Sequence, residues 1–482
     1  MSPSTSTKSS TPIPTYKSLG VRTLVNCMGT YTFLSGSRMV PQAAAAMLEA
    51  TNAYVRIDEL MDKVGERLAE LTGAEWGYVT SGAAAAIAEV TCAAVTGGDP
   101  EKMARLPETE GMRNEVIMQK AHRMGYDRAI RMAGARIIEV VTKADLEAAI
   151  SGRTAMIFIT GDMEERSTIP VPEMIEIAHA HGLPCMVDAA AQRPDVPNRY
   201  LEMGADVVAY SGGKCLRGPQ SAGLLLGRKD MLKAAFLNAA PYGGLARPMK
   251  AAKEDIMSLL AAVESWILGR DHEAEWRMWE GYLETIRQSV ADLPSVTTCV
   301  EQPGLSNHSP KMTISWDPAV LHVTPAQVHQ ELIDGDPCIY MHLVSDGVKV
   351  NPYMMEAGDD EIAAKRLREI LSDRPVEADK PKEDAPPANV AGAWEVDVKY
   401  LSGESKHSMT LEQNGSEIKG TYRSLYDWVD VTGEVLGDHI EFSVILKYQT
   451  SGARYAYTGT VDGDRMGGEI DVGKSWSARR IG

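Results

Sequence analysis

Two kinds of hydrophobic pattern divide the chain. From about residue 76 to residue 227, apolar residues come in short unbroken runs: Trp76-Gly77-Tyr78-Val79, Val116-Ile117-Met118, Ile137-Ile138-Glu139-Val140-Val141, Ala155-Met156-Ile157-Phe158-Ile159, Cys185-Met186-Val187, Val207-Val208-Ala209 and Gly223-Leu224-Leu225-Leu226-Gly227. Helical spacing separates most of them, as in Asp145–Ile150, Pro172–His181 and the alanine-rich stretch after Thr80-Ser81-Gly82. Strands apolar at every position, alternating with helices, predict an α/β unit whose mostly parallel sheet is buried on both faces. Past residue 390 the pattern changes to strict alternation: Val396/Val398/Tyr400, Met409/Leu411, Ile440/Phe442/Val444/Leu446 and Tyr455/Tyr457. Turn signals fall between these stretches, among them Asn414-Gly415, Gly437-Asp438 and Asp462-Gly463. Such a pattern predicts a small antiparallel up-and-down β-barrel or sandwich.

The remaining elements fill in a domain plan. Thr23–Asn26 reads as a short strand. Pro41–Ala53 reads as a helix with Pro in its first turn, and Ile57–Leu71 as an amphipathic helix closed by Gly73. A long helix from about Lys253 to Val290, broken near Gly269, leads to a smaller α+β unit. That unit comprises strands Lys311–Trp316, Ile339–Leu343 and Gly347–Val350 with helices Pro325–Ile333 and Asp359–Leu371. The expected plan is a disordered tail (1–14), an N-terminal segment joining the small domain (15–59), a large domain (60–270) and a small α+β domain (271–372). A Pro- and charge-rich linker (373–390) and the β domain (391–482) complete it.

Composition narrows the function classes. A formal net charge of −17 argues against nucleic acid as a partner, because phosphate contacts need clustered Lys and Arg. No apolar run approaches membrane-spanning length, and the Ser/Thr/Pro-rich start has no apolar signal-peptide core. Six cysteines without CxxC spacing suit reduced thiols in a cytoplasmic protein better than a disulfide framework or a zinc site, and no metal is expected.

Candidate chemistry concentrates where strands end. Ser211-Gly212-Gly213-Lys214 delivers one lysine from a buried strand with glycines around it, which suits a carbonyl cofactor held as a Schiff base, or else a lysine that merely ends a strand. Thr80-Ser81-Gly82-Ala83 hands a strand over to a helix, a place receptive to phosphate and equally a plain N-cap. Asp188 ends the strand Pro184–Val187. A carboxylate there could face a pyridinium nitrogen, cap the next helix or ligate a metal, but Ala189-Ala190-Ala191 offers no companion carboxylate. His122 could stack on a planar ring or be structural, and Cys215 reads as packing or as a second acid/base. Arg247 and Lys250, in a glycine-rich loop, could hold a substrate carboxylate or phosphate, or form a solvated basic turn.

As a set, these motifs resemble the fold-type I enzymes that use pyridoxal 5′-phosphate. Residues 17–372 resemble their selenocysteine synthase-like branch, and most nearly its D-glucosaminate-6-phosphate ammonia-lyase sub-branch. The match is carried by Arg22–Asn26 with Gly29 and Thr30, Leu71–Glu75, Val79–Ala83, Val187–Gln192, Ser211–Lys214, Arg247–Lys250 with Lys253-Glu254, and Val350–Met354. The resemblance implies Lys214 as the Schiff-base lysine, Asp188 on the pyridine nitrogen and His122 over the ring. It implies Thr80, Ser81, Gly82, Ala83 and Ser211 around the phosphate, with Asn26, Thr30, Arg247 and Lys250 as candidate contacts to a small amino-acid substrate. The same resemblance implies a homodimer or larger homo-oligomer and a lyase working by α,β-elimination. Racemase, epimerase and aldolase chemistry share its first steps, and a binding protein on the same scaffold is the non-enzymatic alternative. Selenium transfer is not expected of an acidic chain without a basic tRNA-binding domain, and the C-terminal β domain is an addition to the family pattern.

Overall fold

The computed structural model describes residues 12–372, 386–471 and 473–481. The expected tail and linker lie outside the described residues, apart from the last three residues of the tail and the last five of the linker. Two compact units are present, one within Met1–His122 and Ala129–Val376, the other within Arg123–Arg128 and Glu377–Gly482.

The first unit is built on a seven-stranded sheet of β1 (Trp76–Thr80), β2 (Glu115–Gln119), β3 (Arg136–Val140), β4 (Thr154–Thr160), β5 (Cys185–Asp188), β6 (Val207–Ser211) and β7 (Gly223–Gly227). Their spatial order is β1-β7-β6-β5-β4-β2-β3. Only β7 runs against its neighbours; the other pairings are parallel. All of β1, β2, β4, β5 and β7 is buried, as unbroken apolar runs require, whereas edge strand β3 buries only Val140 and exposes Arg136 and Glu139. Close approach is specified by glycine. Helix Ile57–Thr72 lies on β1 so tightly that a Cβ on Gly65 would sit 2.1 Å from the Trp76 ring, and one on Gly77 would sit 2.3 Å from Leu68 Cβ.

The first unit also contains a four-stranded antiparallel sheet ordered His342–Val344, Gly347–Val350, Lys311–Ser315, Thr297–Glu301. Here the structure differs from the sequence reading in two places. The expected strand Ile339–Leu343 is two strands in different sheets: Cys338–Tyr340 pairs in parallel with Leu24–Asn26, and His342–Val344 forms a hairpin with Gly347–Val350. Thr297–Glu301 is an edge strand with no buried residue, so its sequence carries no apolar face to announce it. The helix expected over Pro41–Ala53 ends at Ala50, where the Thr51 hydroxyl donates to the Leu48 carbonyl. The helix expected over Lys253–Val290 is Lys253–Glu264, a π-helical turn Ser265–Gly269, then His272–Val290 capped by the Asp271 side chain.

In the second unit, eight strands from Gly392–Lys399 to Ser475–Ile481 each pair antiparallel with the next, and the last closes on the first. This is the up-and-down barrel of the two forms left open by the alternation. Eight strands leave an interior that side chains can fill, and here Trp394, Tyr422, Phe442, Tyr457 and Trp476 occupy it. Phe442 stacks on Tyr457 at 4.5 Å and meets the Trp476 ring edge at 5.2 Å. The polar ends of this core satisfy one another, with Tyr422 Oη 2.7 Å from His407 Nδ1 and 3.0 Å from Tyr457 Oη. Replacing Phe442 by Ala should cost the barrel about 3–5 kcal/mol. Hydrogen exchange should therefore speed up in the barrel strands and stay unchanged in β1–β7; equal acceleration in both would contradict two separate cores.

Candidate active site

One edge of the large sheet gathers most of the residues singled out from the sequence. In the β4–β5–β6 register Thr160, Asp188 and Ala209 stand side by side at the C-terminal ends. In the β6–β7–β1 register Ser211, Gly223 and Thr80 do the same. Open α/β sheets bind ligands at this edge.

The Thr80–Ala83 turn is shaped around Gly82, which has φ +102° and precedes helix Ala83–Thr96. Thr80 Oγ1 donates to the Gly82 carbonyl at 2.9 Å. Across from it, a Cβ on Gly223 would lie 2.5 Å from Gly82 C, 2.6 Å from Thr80 Oγ1 and 2.7 Å from Ala83 N. The neighbouring strand is thus bare where it meets the loop. Ser81, Gly82 and Ala83 remain half-buried at the N-terminus of a 14-residue helix, where main-chain N–H groups and the helix dipole favour an anion.

Lys214 is half-buried in a turn with little freedom. Gly212 N–H donates to the Ala222 carbonyl and Gly218 N–H to the Gly212 carbonyl, both at 2.8 Å. A Cβ on Gly213 would meet Gln220 Cα at 2.5 Å. The Lys214 carbonyl accepts from Arg217 N–H at 3.0 Å, with Arg217 in the left-handed region at φ +53°. The Arg217 side chain is occupied by Glu356 (2.6 Å) and the Arg38 carbonyl (3.0 Å), contacts that the sequence did not announce.

Asp188 is 3% exposed, and its carboxylate accepts a hydrogen bond from Ala190 N–H at 3.2 Å. Among the described residues no cation lies within ion-pair distance of it. Burial, then the charge of Asp162, pushes this carboxyl up to about 7, against the opposing pull of Lys214. Asp162 accepts from the Ser306 hydroxyl at 2.6 Å, a small-sheet connection invisible in sequence because 144 residues separate the two.

His122 is fully buried, just past β2. Thr160 N–H points at its Nδ1 at 3.4 Å, which leaves Nε2 to donate to Ser167 Oγ at 2.8 Å. Burial pushes this imidazole down to about 4, so the ring is flat and uncharged at neutral pH. Cys215 is buried, donates from Sγ to the Gln192 carbonyl at 3.1 Å, and is pushed up to about 12 by burial, which fits packing rather than acid/base work.

The other candidates make no side-chain hydrogen bond or ion pair with these edge residues. The Asn26 side chain closes its own turn, accepting from Met28 N–H (3.0 Å) and Gly29 N–H (2.9 Å) and donating to the Gly29 carbonyl (3.0 Å). Thr30 follows in that turn and is half-buried, while Arg247 and Lys250 are exposed. No group of His, Cys, Asp and Glu among the described residues is arranged to hold a metal ion.

The edge therefore presents a buried carboxylate without a cation, an anion-receptive helix N-terminus beside a bare glycine, and a lysine on a rigid turn. A cationic heterocycle that carries a carbonyl carbon and a phosphate answers all three demands, so these residues fit pyridoxal phosphate. The buried carboxylate also has a consequence for the cofactor-free protein. Because folding raises the Asp188 carboxyl from 3.8 to about 7, the folded state holds its proton over a range in which the unfolded chain has lost it. Stability should therefore fall as pH rises through that window. Urea titrations of the cofactor-free protein should show this slope flattened by Asp188→Asn, and equal slopes in both proteins would contradict it.

The comparisons with known proteins point to the same cofactor. The family model for the Cys/Met metabolism PLP-dependent enzymes matches residues 21–270. The chain is 31% identical over 369 residues to a D-glucosaminate-6-phosphate ammonia lyase of Salmonella typhimurium, covering 74% of this chain and 97% of that protein. It is 30% identical over 374 residues to a 5′-C-glycyluridine monooxygenase-decarboxylase of a Streptomyces species, covering 74% and 92%. A solved structure of D-glucosaminate-6-phosphate ammonia-lyase superposes with a TM-score of 0.66 at 30% identity, over 74% of this chain and 97% of that one. With a fold-type I sheet and a matching family model over half its length, the chain belongs to the Cys/Met metabolism family of pyridoxal-phosphate-dependent enzymes.

Proposed function

We propose that this enzyme is a lyase that removes ammonia from an anionic amino acid or amino sugar acid by α,β-elimination, with Lys214 as its cofactor lysine. The observation that carries the cofactor assignment is Asp188, a buried carboxylate with no side-chain cation within ion-pair distance among the described residues. The lyase reading leans on the 31% identity to the Salmonella ammonia lyase.

The bound cofactor supplies an electron-withdrawing ring that acidifies a substrate Cα–H. The chain supplies the rest. Asp188, ionised once a pyridinium nitrogen faces it, holds the positive charge on that ring. His122, kept neutral by burial, offers a flat face that does not oppose that charge. Thr80, Ser81, Gly82, Ala83 and Ser211 hold the phosphate through N–H groups, hydroxyls and the helix dipole. The Lys214 amine takes the proton from Cα and is held to that task by its turn. A β-substituent then leaves with its electron pair, Cβ takes up a proton from solvent, and water replaces nitrogen at Cα to give a keto acid and ammonia. Asn26 and Thr30 border the substrate, and Arg247 and Lys250 meet its anionic group.

We further propose a homodimer or larger homo-oligomer, because Tyr16, Leu19, Phe33, Leu48 and Tyr54 expose more than half of their surface in the N-terminal segment. No described helix is long and apolar enough to cross a membrane, and all six cysteines are unpaired, which supports a cytoplasmic enzyme.

Purified protein should be yellow and Lys214→Ala colourless. In deuterated buffer the wild type should exchange the α-proton of its substrate and release ammonia, with Lys214→Ala slower by about 100-fold or more. Exchange without ammonia would turn the assignment from lyase to racemase, and colour that survives Lys214→Ala would overturn the cofactor assignment. Sedimentation velocity should give a dimer or larger, and a monomer would contradict the exposed-face argument.

A further inference from the structure

The turn that carries Lys214 is gripped from outside the sheet edge by Arg270. Between helices Lys253–Glu264 and His272–Val290 the chain makes one π-helical turn, Ser265–Gly269, closed by Arg270 N–H on the Ser265 carbonyl at 2.8 Å. Such turns are uncommon and gather at functional sites. The Arg270 side chain is only 9% exposed. Its Nε and Nη2 donate to the two carboxylate oxygens of Glu275 at 2.8 and 2.9 Å, and its Cζ lies 4.6 Å from the centre of the Trp266 ring. A guanidinium held by two bonds on one edge and a ring on one face has one direction left for Nη1. That group donates to the carbonyl of Cys215 at 2.6 Å, one residue past Lys214.

We propose that Arg270 is a positioning residue for Lys214, fixing the main chain on which the lysine is mounted. This rests on the reading of Lys214 as the cofactor lysine. The peptide groups on both sides of Lys214 are pinned. Before it, Gly213 lies against Gln220 with no room for a Cβ. After it, the Lys214 carbonyl is held by Arg217 N–H and the Cys215 carbonyl by Arg270. From the other side, the Cys215 thiol ties the same residue to Gln192, four residues past Asp188. Rotation about the Lys214 main chain would break at least one of these bonds, and the Arg270 bond is the charge-assisted one. The planar fork of arginine is needed to serve carboxylate and carbonyl at once, which lysine cannot do with the same fixed direction.

A lysine displaced by about 1 Å loses up to about 100-fold in rate while leaving substrate binding nearly intact. The test uses the holoenzyme with Arg270→Ala, Arg270→Lys and Lys214→Ala. Three quantities are read: the visible circular dichroism per bound cofactor, which reports how the ring is held, the split of kcat from KM, and the melting temperature. In Arg270→Ala the dichroism should fall by about half or more and kcat by about tenfold or more, with KM within about threefold. Arg270→Lys should lie between it and the wild type. Should Arg270→Ala fail to fold, Glu275→Gln, which loosens the guanidinium without removing it, should show smaller changes in the same direction. Unchanged dichroism and kcat in the Arg270 and Glu275 variants, alongside a colourless Lys214→Ala, would overturn the inference alone. A Lys214→Ala that kept its colour would instead overturn the reading on which it rests.

Discussion

A carboxylate buried without a countercharge is costly by several kcal/mol, and the structure of this enzyme turns on one. Asp188 ends a central strand with both neighbouring strands in place and Ala189-Ala190-Ala191 behind it, and among the described residues no side-chain cation lies within ion-pair distance of it. The nearby charge of Asp162 worsens the problem. A protein keeps such a group when something that binds resolves it. The pyridinium ring proposed to face Asp188 would do so, and the energy that the site withholds from the empty fold would become affinity for the cofactor.

The rest of the edge follows from where that carboxylate stands. Strand β7 runs against the sheet and places Gly223 between Thr80 and Ser211, so the phosphate-receptive turn and the lysine turn flank one bare glycine. Parallel strands alone would have brought helix N-termini to the edge, but not this gap. The lysine turn is then tied to the N-terminal segment and to Glu356 through Arg217, and to the π-turn through Arg270. Parts of the chain far apart in sequence thus hold the main chain around Lys214 in place.

Much of this was legible in the sequence, for identifiable reasons. Strands buried on both faces must be apolar throughout, so runs such as Ala155–Ile159 declared the sheet, and the alternation past residue 390 declared a small antiparallel β unit, barrel or sandwich, which the structure closes as an eight-stranded barrel. Lys214, Asp188, Ser211 and Thr80 stood out because strand ends are where chemistry-bearing residues interrupt apolar runs. What stayed hidden depended on partners distant in sequence. Nothing local to Ile339–Leu343 says that Leu24–Asn26 takes half of it into another sheet, and Thr297–Glu301 has no buried face to announce it. The neutrality of His122 comes from enclosure by elements beyond its own motif, and the grip of Arg270 on Cys215 spans 55 residues.

The central claim is that the amine of Lys214 meets the cofactor above a charge held by Asp188. It is tested most directly by borohydride reduction of the purified holoenzyme, followed by proteolysis and mass mapping. The account predicts one stable pyridoxyl adduct, on the peptide that contains Lys214, and markedly less adduct in Asp188→Ala. An adduct on another lysine, or a reduced protein with no adduct on that peptide, would contradict it.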